Sequence, residues 1–228
     1  MSVTPRFDRP PYRLSGTVLG CLMNHRPALA ALGDAMNAAP YKAPPKAPVL
    51  YVKPRNTLAG DGSAVAVPAD PGELEVGAAL GLVIGRTTHR VGVADALAHV
   101  AGAIVVNDVS VPHVSFYRPS VRLKARDGFC PLGARVAPLP ADVDALGVRV
   151  FIDEELVHET TTGERVRGAA QLIADVSAFM TLQAGDVLML GVSHGAPRVR
   201  AGQVSRIEID SVGHLTNTYG PEAGEAAR

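Results

Sequence analysis

One stretch of the chain, residues 104–133, concentrates polar and charged side chains that can bind an acidic substrate. Asn107 and Asp108 follow an apolar run, so a strand would deliver them at its exit. Cations then recur at even positions: Arg118, Arg122, Lys124 and Arg126. If this piece is extended, strand alternation places all four on one face. Such a row suits a substrate with two or more carboxylates, and the alternative is a solvated strand edge.

Histidines offer further candidates for proton transfer. His25 directly follows Asn24 and could act as a proton shuttle, although a lone histidine is more often a structural hydrogen-bonding group. His194 fits an exposed loop, and His113 and His158 have no partner pattern. The histidines alone therefore define no reaction.

Composition excludes several classes of function. Lys plus Arg and Asp plus Glu number 22 each, so no bulk charge attracts nucleic acid or an acidic membrane. Aromatic residues make up only 4%, which disfavours a base-stacking surface. Two cysteines are too few for a disulfide scaffold or a four-ligand zinc site, and Cys130 beside Phe129 is predicted to be a buried structural thiol. With no signal peptide or transmembrane pattern, we expect a cytoplasmic protein.

The elements that must position these residues are mostly short strands. Compact apolar runs predict strands at 49–53, 80–85 and 103–108. The alternating segment 148–159 breaks at Asp153–Glu154, which predicts a hairpin.

Helical spacing predicts helices within 26–40, 93–101 and 169–180. In the last of these, Leu172, Val176 and Phe179 are expected on one apolar face. The balance is a β-rich α+β fold. We expect a single domain at 16–219 between an N-terminal tail at 1–15 and a C-terminal tail at 220–228.

Several ordered motifs carry a family resemblance. The strings YVKPRNTLAGDG, LGLVIGRTT, NDVS and LKARDGFCPLG, followed by TLQAGDVLMLG and GHLTN, resemble the fumarylacetoacetate hydrolase family. Within it, NHRPALAALGDAMNAAPYKAPPK and KPRNT resemble the isomerase/decarboxylase branch of homoprotocatechuate (4-hydroxyphenylacetate) breakdown. The chain resembles the N-terminal half of those two-part proteins.

The resemblance implies a mixed β-roll or sandwich of the fumarylacetoacetate hydrolase C-terminal type, usually dimeric. It also implies Mg²⁺ or Mn²⁺ that binds a small oxo- or hydroxy-polycarboxylate and polarises its 2-oxo group. Lys53 and Lys124 match positions where family members keep a lysine near the substrate. Together with Arg118 and Arg122, Lys124 is expected to bind substrate carboxylates.

The implied metal ligands match only in part. Asp108 matches the aspartate of the family's NDVS motif, but Gly77 and Ala79 stand where relatives have two glutamates. Glu73 and Glu75 form the same E-x-E spacing four residues earlier, about 13 Å along a strand, and are weaker candidates for ligands.

Two functions follow from the resemblance. In the first, the chain is an active isomerase or decarboxylase, with Asp108 as a metal ligand and His25, Lys53 or Lys124 as catalytic groups. In the second, it is a metal-poor, non-catalytic partner of a catalytic sister chain. Ala28 and Ala31 favour the second, because relatives carry His and Glu there. Either function predicts a homodimer or a heterodimer with a sister subunit.

Overall fold

The computed structural model describes residues 14–113 and 120–222, together with the backbone at 8–9 and 12–13. Its strands, in chain order, are β1 (Asp8–Arg9), β2 (Tyr12–Arg13), β3 (Val18–Leu22), β4 (Val49–Lys53), β5 (Leu58–Ala59), β6 (Ala64–Val67), β7 (Leu74–Glu75), β8 (Ala78–Ile84), β9 (Val100–Asn107), β10 (Cys130–Pro131), β11 (Gly147–Ile152), β12 (Glu155–Thr161), β13 (Val187–Met189), β14 (Arg198–Val199), β15 (Val204–Ile209) and β16 (Gly213–Pro221). The α-helices are α1 (Arg26–Leu32), α2 (Val93–Ala96), α3 (Val121–Lys124) and α4 (Ala169–Ser177).

Two five-stranded mixed sheets form the body of the fold. The first has the order β4-β3-β13-β8-β9, and the second has the order β12-β11-β15-β16-β6. Most neighbours are antiparallel, but β13 pairs with β3 and β16 pairs with β6 in parallel. The predicted β-rich α+β fold is therefore confirmed.

Strand β8 shows that the first sheet is covered on both faces. All seven of its residues are buried. Leu80 and Leu82 belong to the large core shared with the second sheet, whereas Ala79 and Val83 pack on the opposite face in a smaller core. A strand covered on both faces reads as a continuous apolar run, as the sequence does here.

The predicted strands and the hairpin are confirmed. The segment 49–53 is β4, and the runs at 80–85 and 103–108 lie largely within β8 and β9. In the hairpin, Asp153 and Glu154 adopt the positive φ values of 50° and 69° that a tight two-residue turn requires.

The helices are shorter than predicted. The segment 93–101 gives only α2 and a 3₁₀ turn at Leu97–His99, because Val100 already begins β9. Helix α4 ends at Ser177, and Phe179 beyond it is 64% exposed, so its predicted place on the apolar face was wrong. At the ends, Leu14 packs in the smaller core and β16 runs to Pro221, so ordered structure reaches slightly beyond 16–219.

The cationic segment is not extended where it is described. Val121–Lys124 form the helical turn α3, so the prediction of one extended cationic face was wrong there. Arg118 lies outside the described residues. Among the described residues, none of the helices has the length and apolar character needed to cross a membrane.

Candidate active site

A cleft of ≈ 450 Å³ opens between α1, the middle of β4, the segment leading into β8 and the loop 192–196. Apolar residues of α1 line one side: Ala28, Leu29, Ala31 and Leu32. Polar and charged side chains line the other: Tyr51, Glu75, Asp108, Ser110 and Lys124. The cleft thus brings Asp108 and Lys124 together, as the sequence predicts.

The Asp108 carboxylate is the electrostatic centre of the cleft floor. It is 1% exposed and follows β9 directly. Lys124 Nζ donates a hydrogen bond to Asp108 Oδ2 at 2.9 Å, and the hydroxyl of Tyr51 donates to the same oxygen. Lys53 Nζ lies 2.7 Å from Oδ1 and forms an ion pair with it.

These cations decide the ionisation of Asp108. Burial alone would raise the pKa of the carboxyl, but the ammonium groups of Lys124 and Lys53 outweigh burial and hold that pKa well below its usual range. Burial and the neighbouring carboxylate raise the pKa of Tyr51, so its hydroxyl stays protonated as a donor. Burial lowers the pKa of Lys53, and the adjacent Asp108 carboxylate partly offsets this. The floor is therefore an ionised carboxylate with two cations.

Lys53 supports this floor from below and does not line the cleft. Its side chain is 0% exposed, and its ammonium donates to the carbonyls of Val109, Lys124 and Phe129 at 2.9, 2.8 and 2.8 Å. These three bonds use all the protons of an ammonium group. The predicted direct catalytic role of Lys53 therefore does not match its position.

Tyr51 was missed by the sequence reasoning, although strand alternation could have found it. It lies two residues before Lys53 on β4, so both side chains point to one face, while Val52 between them is 57% exposed. Gly20 pairs with Tyr51, and a Cβ there would lie 2.0 Å from the ring. Gly20 therefore leaves room for the ring over the sheet.

The positions matching the family's two glutamates cannot supply metal ligands. A Cβ on Gly77 would lie 2.2 Å from the carbonyl oxygen of Asp108, so no side chain fits without a backbone shift. Ala79 is 1% exposed and packs in the smaller core.

Glu73 and Glu75, the weaker candidates for metal ligands, lie in different surroundings. Glu73 forms salt bridges with Arg198 and Arg200, whereas Glu75 lines the cleft and accepts a hydrogen bond from the Ser110 hydroxyl at 3.1 Å. In the described part of the chain, no three His, Cys, Asp or Glu side chains come together. With Asp108 held by lysines, this donor set does not fit Mg²⁺ or Mn²⁺, which prefer several oxygen ligands.

His25 lies at the other end of the cleft with both ring nitrogens engaged. Nδ1 accepts the backbone N–H of His194 at 3.0 Å, and Nε2 contacts Glu164 Oε2 at 3.0 Å. Burial and the nearby Arg165 lower the pKa of His25, partly offset by Glu164. His25 is thus a neutral ring that donates through Nε2, without a nitrogen left for the predicted proton shuttle.

Arg165 and Asn24 fix the wall behind His25. Asn24 bonds to the backbone at Arg167 and Leu190, which is a structural role. Arg165 is 3% exposed, and among the described residues only its Nη2 has a hydrogen-bonding partner, Ser193 Oγ at 3.4 Å. The sequence reasoning missed Arg165, because a single arginine in a polar loop carries no burial signal.

Two further residues predicted from the sequence, Arg122 and Asn107, do not lie on the cleft floor. Arg122 is exposed and lines a second depression of ≈ 560 Å³ beside Arg126. Asn107 bonds to Asn217 and Tyr219 in the core instead of lining the cleft.

The predictions for Cys130 and His194 are confirmed. Cys130 is fully buried, which raises its thiol pKa to about 12, so the predicted structural thiol is confirmed. His194 is exposed at the rim of the cleft.

Comparison with known proteins gives consistent matches. The fumarylacetoacetate (FAA) hydrolase C-terminal family matches residues 17–219. The 4-hydroxyphenylacetate degradation bifunctional isomerase/decarboxylase of Escherichia coli is 38% identical over 90% of this chain and 47% of its own length. The mitochondrial oxaloacetate tautomerase of Xenopus laevis is 32% identical over 76% of this chain and 58% of its own length.

The solved structures agree. The 5-carboxymethyl-2-hydroxymuconate delta-isomerase from Mycobacterium smegmatis has a TM-score of 0.76 and 25% identity, covering 92% of this chain and 81% of that one. The chain spans about half the length of the curated isomerase/decarboxylase that it matches.

Proposed function

Because the chain belongs to the fumarylacetoacetate hydrolase family, we propose that it isomerises unsaturated oxo- or hydroxy-polycarboxylates of the 2-hydroxymuconate type. The reaction would move a proton along a conjugated chain during 4-hydroxyphenylacetate catabolism. The names of the Escherichia coli and Mycobacterium smegmatis relatives support this substrate class, and the Xenopus tautomerase performs a related proton shift.

The observation that carries the proposal is the pairing of Lys124 with Asp108 on the cleft floor. Lys124 is 6% exposed, and among the described residues Asp108 is the hydrogen-bond acceptor of its Nζ. Its remaining protons are available to a substrate oxygen. Charge-assisted hydrogen bonds from an ammonium stabilise a carboxylate or an enolate more than neutral donors do.

Glu75 is our candidate for the general base. It lines the same cleft, is half-buried, and is held by the Ser110 hydroxyl. Its carboxylate would take the proton of the 2-hydroxyl group, leaving negative charge on the oxygen bound by Lys124. The electron pair from the broken O–H bond would then form the 2-oxo group, while the conjugated chain takes up the same proton at carbon. The isomerisation thus moves one proton from oxygen to carbon without a net change in atoms or electrons.

Spectrophotometry of the purified chain with 5-carboxymethyl-2-hydroxymuconate tests this function. We expect isomerisation by the chain alone, and a loss of kcat by about 100-fold or more in Glu75→Gln, since general bases contribute on this order. Glu155→Gln, at an exposed position of β12, is the matched control and should retain the rate. An unchanged rate in Glu75→Gln would remove Glu75 from the mechanism.

The alternative, a non-catalytic partner of a sister chain, rests on the apolar Ala28 and Ala31 in the cleft wall. It predicts no isomerisation by the isolated chain and activity only after co-expression with the sister. Sedimentation would also test the predicted homodimer or heterodimer, because a stable monomer that resists dilution contradicts both. Cytoplasmic location stays a prediction.

A further inference from the structure

We propose that the ammonium group of Lys124, supported by Lys53, takes the place and the role of a divalent cation in this cleft. The chain would then bind and polarise its substrate without a metal ion. This inference deepens the proposed function, on which it rests for the identity of the reaction, and it concerns how the oxygen of the substrate is stabilised.

Cations already occupy the carboxylate of Asp108. Both oxygens of Asp108 are held by cations: Oδ1 lies 2.7 Å from Lys53 Nζ and Oδ2 lies 2.9 Å from Lys124 Nζ. The Tyr51 hydroxyl takes a further position on Oδ2. A divalent cation on Asp108 would lie buried beside two ammonium groups, and repulsion between these like charges opposes its binding.

The net charge of the cleft floor also supports this role of Lys124. Two ammonium groups against one buried carboxylate leave the floor with one net positive charge. The same balance results when one carboxylate binds a divalent cation. Lys53 is anchored by three backbone carbonyls, so the excess charge is presented to the cleft by Lys124. The floor is thus already cationic enough to attract an oxyanion.

Packing also limits which further carboxylates could join Asp108 in a metal site. Gly77 cannot carry a side chain, because its Cβ would lie 2.2 Å from the Asp108 carbonyl oxygen, and Ala79 points into the smaller core. Packing therefore excludes carboxylate ligands at the two positions that match the family's glutamates. Glu75 faces the cleft, but with Asp108 it supplies only two carboxylates, one of them already paired.

In the reaction, Lys124 would keep its protons and act as an electrophile. The O–H bond of the 2-hydroxyl group breaks as Glu75 takes the proton, and Lys124 stabilises the negative charge on that oxygen by hydrogen bonding. The electron pair then forms the 2-oxo group, and the proton passes from Glu75 to a carbon of the conjugated chain. An ammonium group that stabilises the oxygen by hydrogen bonding can support this proton transfer without a metal ion acting as a Lewis acid.

The test has two arms on the purified full chain. Calorimetric titration with Mn²⁺ alone should give no stoichiometric binding, and isomerisation should keep its rate in excess EDTA. Lys124→Met should lower kcat/KM by about 100-fold or more, as for loss of an oxyanion donor, while Lys124→Arg retains part of the rate. Lys46→Met, which removes an exposed lysine, is the control and should retain full activity.

Stoichiometric Mn²⁺ binding that Asp108→Asn abolishes, or loss of the rate in EDTA with recovery on adding Mn²⁺, would overturn the inference. Failure of the proposed function is distinguishable. It would appear as no isomerisation with or without metal, and the Mn²⁺ titration would still decide whether the lysines exclude the cation.

Discussion

At the scale of single residues, Asp108 organises the cleft because its charge is buried with two cations. Removing one partner of a buried ion pair leaves the other partner uncompensated, and this costs far more than losing a surface pair. Lys53 is the more structural of the two lysines, since its ammonium also satisfies three backbone carbonyls. Lys124 is the one that reaches the substrate side.

Lys53→Met should therefore destabilise the protein strongly. Methionine keeps much of the volume but leaves three carbonyls and Asp108 Oδ1 without a donor or countercharge, so we expect a loss of about 3–5 kcal/mol in the free energy of unfolding. Urea denaturation measures it. The exposed Lys46→Met should change stability by less than about 0.5 kcal/mol, and a comparably small loss in Lys53→Met would contradict the role assigned to Lys53.

Lowering the pH should remove the stabilisation that the Asp108 carboxylate gives to the folded protein. Because Lys124 and Lys53 lower the pKa of Asp108 in the folded state, the unfolded chain binds a proton more readily. The stabilisation is fully present above the unfolded pKa of about 3.9 and is lost as the pH falls below it. Urea midpoints measured from about pH 6 down to pH 3 should decrease most steeply at the acid end. A midpoint that stays level below about pH 4 would show that Asp108 is not held ionised by its partners.

Sequence reasoning located Asp108 and Lys124 because both lie in motifs with fixed spacing. It predicted a direct catalytic role for Lys53 that does not match the structure, since the sequence motif is the same whether its lysine faces a ligand or is buried beneath the site. Arg165 was missed for a related reason. Its burial depends on the wall formed by Asn24, His25 and Ser193, which come from other parts of the chain.

At the scale of elements, the entry to β8 determines what the cleft can hold. The backbone of Asp108 donates to the Gly77 carbonyl at 2.8 Å, and Glu75 pairs with Ser110 further along the same segment. This close pairing brings Asp108 and Glu75 into one cleft. It also leaves no space for a side chain at residue 77.

Gly77→Ala tests this packing. The new methyl group would meet the Asp108 carbonyl oxygen, so we expect a loss of stability of about 1–3 kcal/mol from overpacking, with a shift of the Asp108 carboxylate. Gly92→Ala is the matched control, because a Cβ there meets no atom within 4 Å. If the two variants have equal stability, the approach of β8 to Asp108 is looser than described. The same contact argues against building a metal site by Gly77→Glu.

Element prediction failed where elements are very short. Strand alternation in 118–126 was a reasonable basis for an extended segment, but Val121–Lys124 form one helical turn. The bonds that fix this turn are tertiary: the Lys124 ammonium reaches Asp108, and the Lys124 carbonyl accepts from Lys53. In contrast, β8 and α4 were predicted because their apolar sequence patterns extend over several residues.

At the scale of the whole molecule, two sheets share one large core, and the cleft lies at the end of the buried sheet where β9 delivers Asp108. The fold class could be predicted from the short apolar runs and from the family motifs. The order of strands could not, because β13 inserts between β3 and β8 from far along the sequence. Such long-range pairings leave no local signal in the chain.

The central claim is that this cleft binds a 2-oxo polycarboxylate through Lys124. Calorimetric titration with 2-oxoglutarate, a saturated 2-oxo dicarboxylate, tests it most directly, with the wild-type chain compared with Lys124→Met and Arg122→Met. Loss of a charge-assisted hydrogen bond should weaken binding roughly ten- to hundredfold in Lys124→Met. Arg122→Met should bind as the wild type does, because Arg122 lies in the other depression. Equal affinity of wild type and Lys124→Met, or a loss confined to Arg122→Met, would contradict the account.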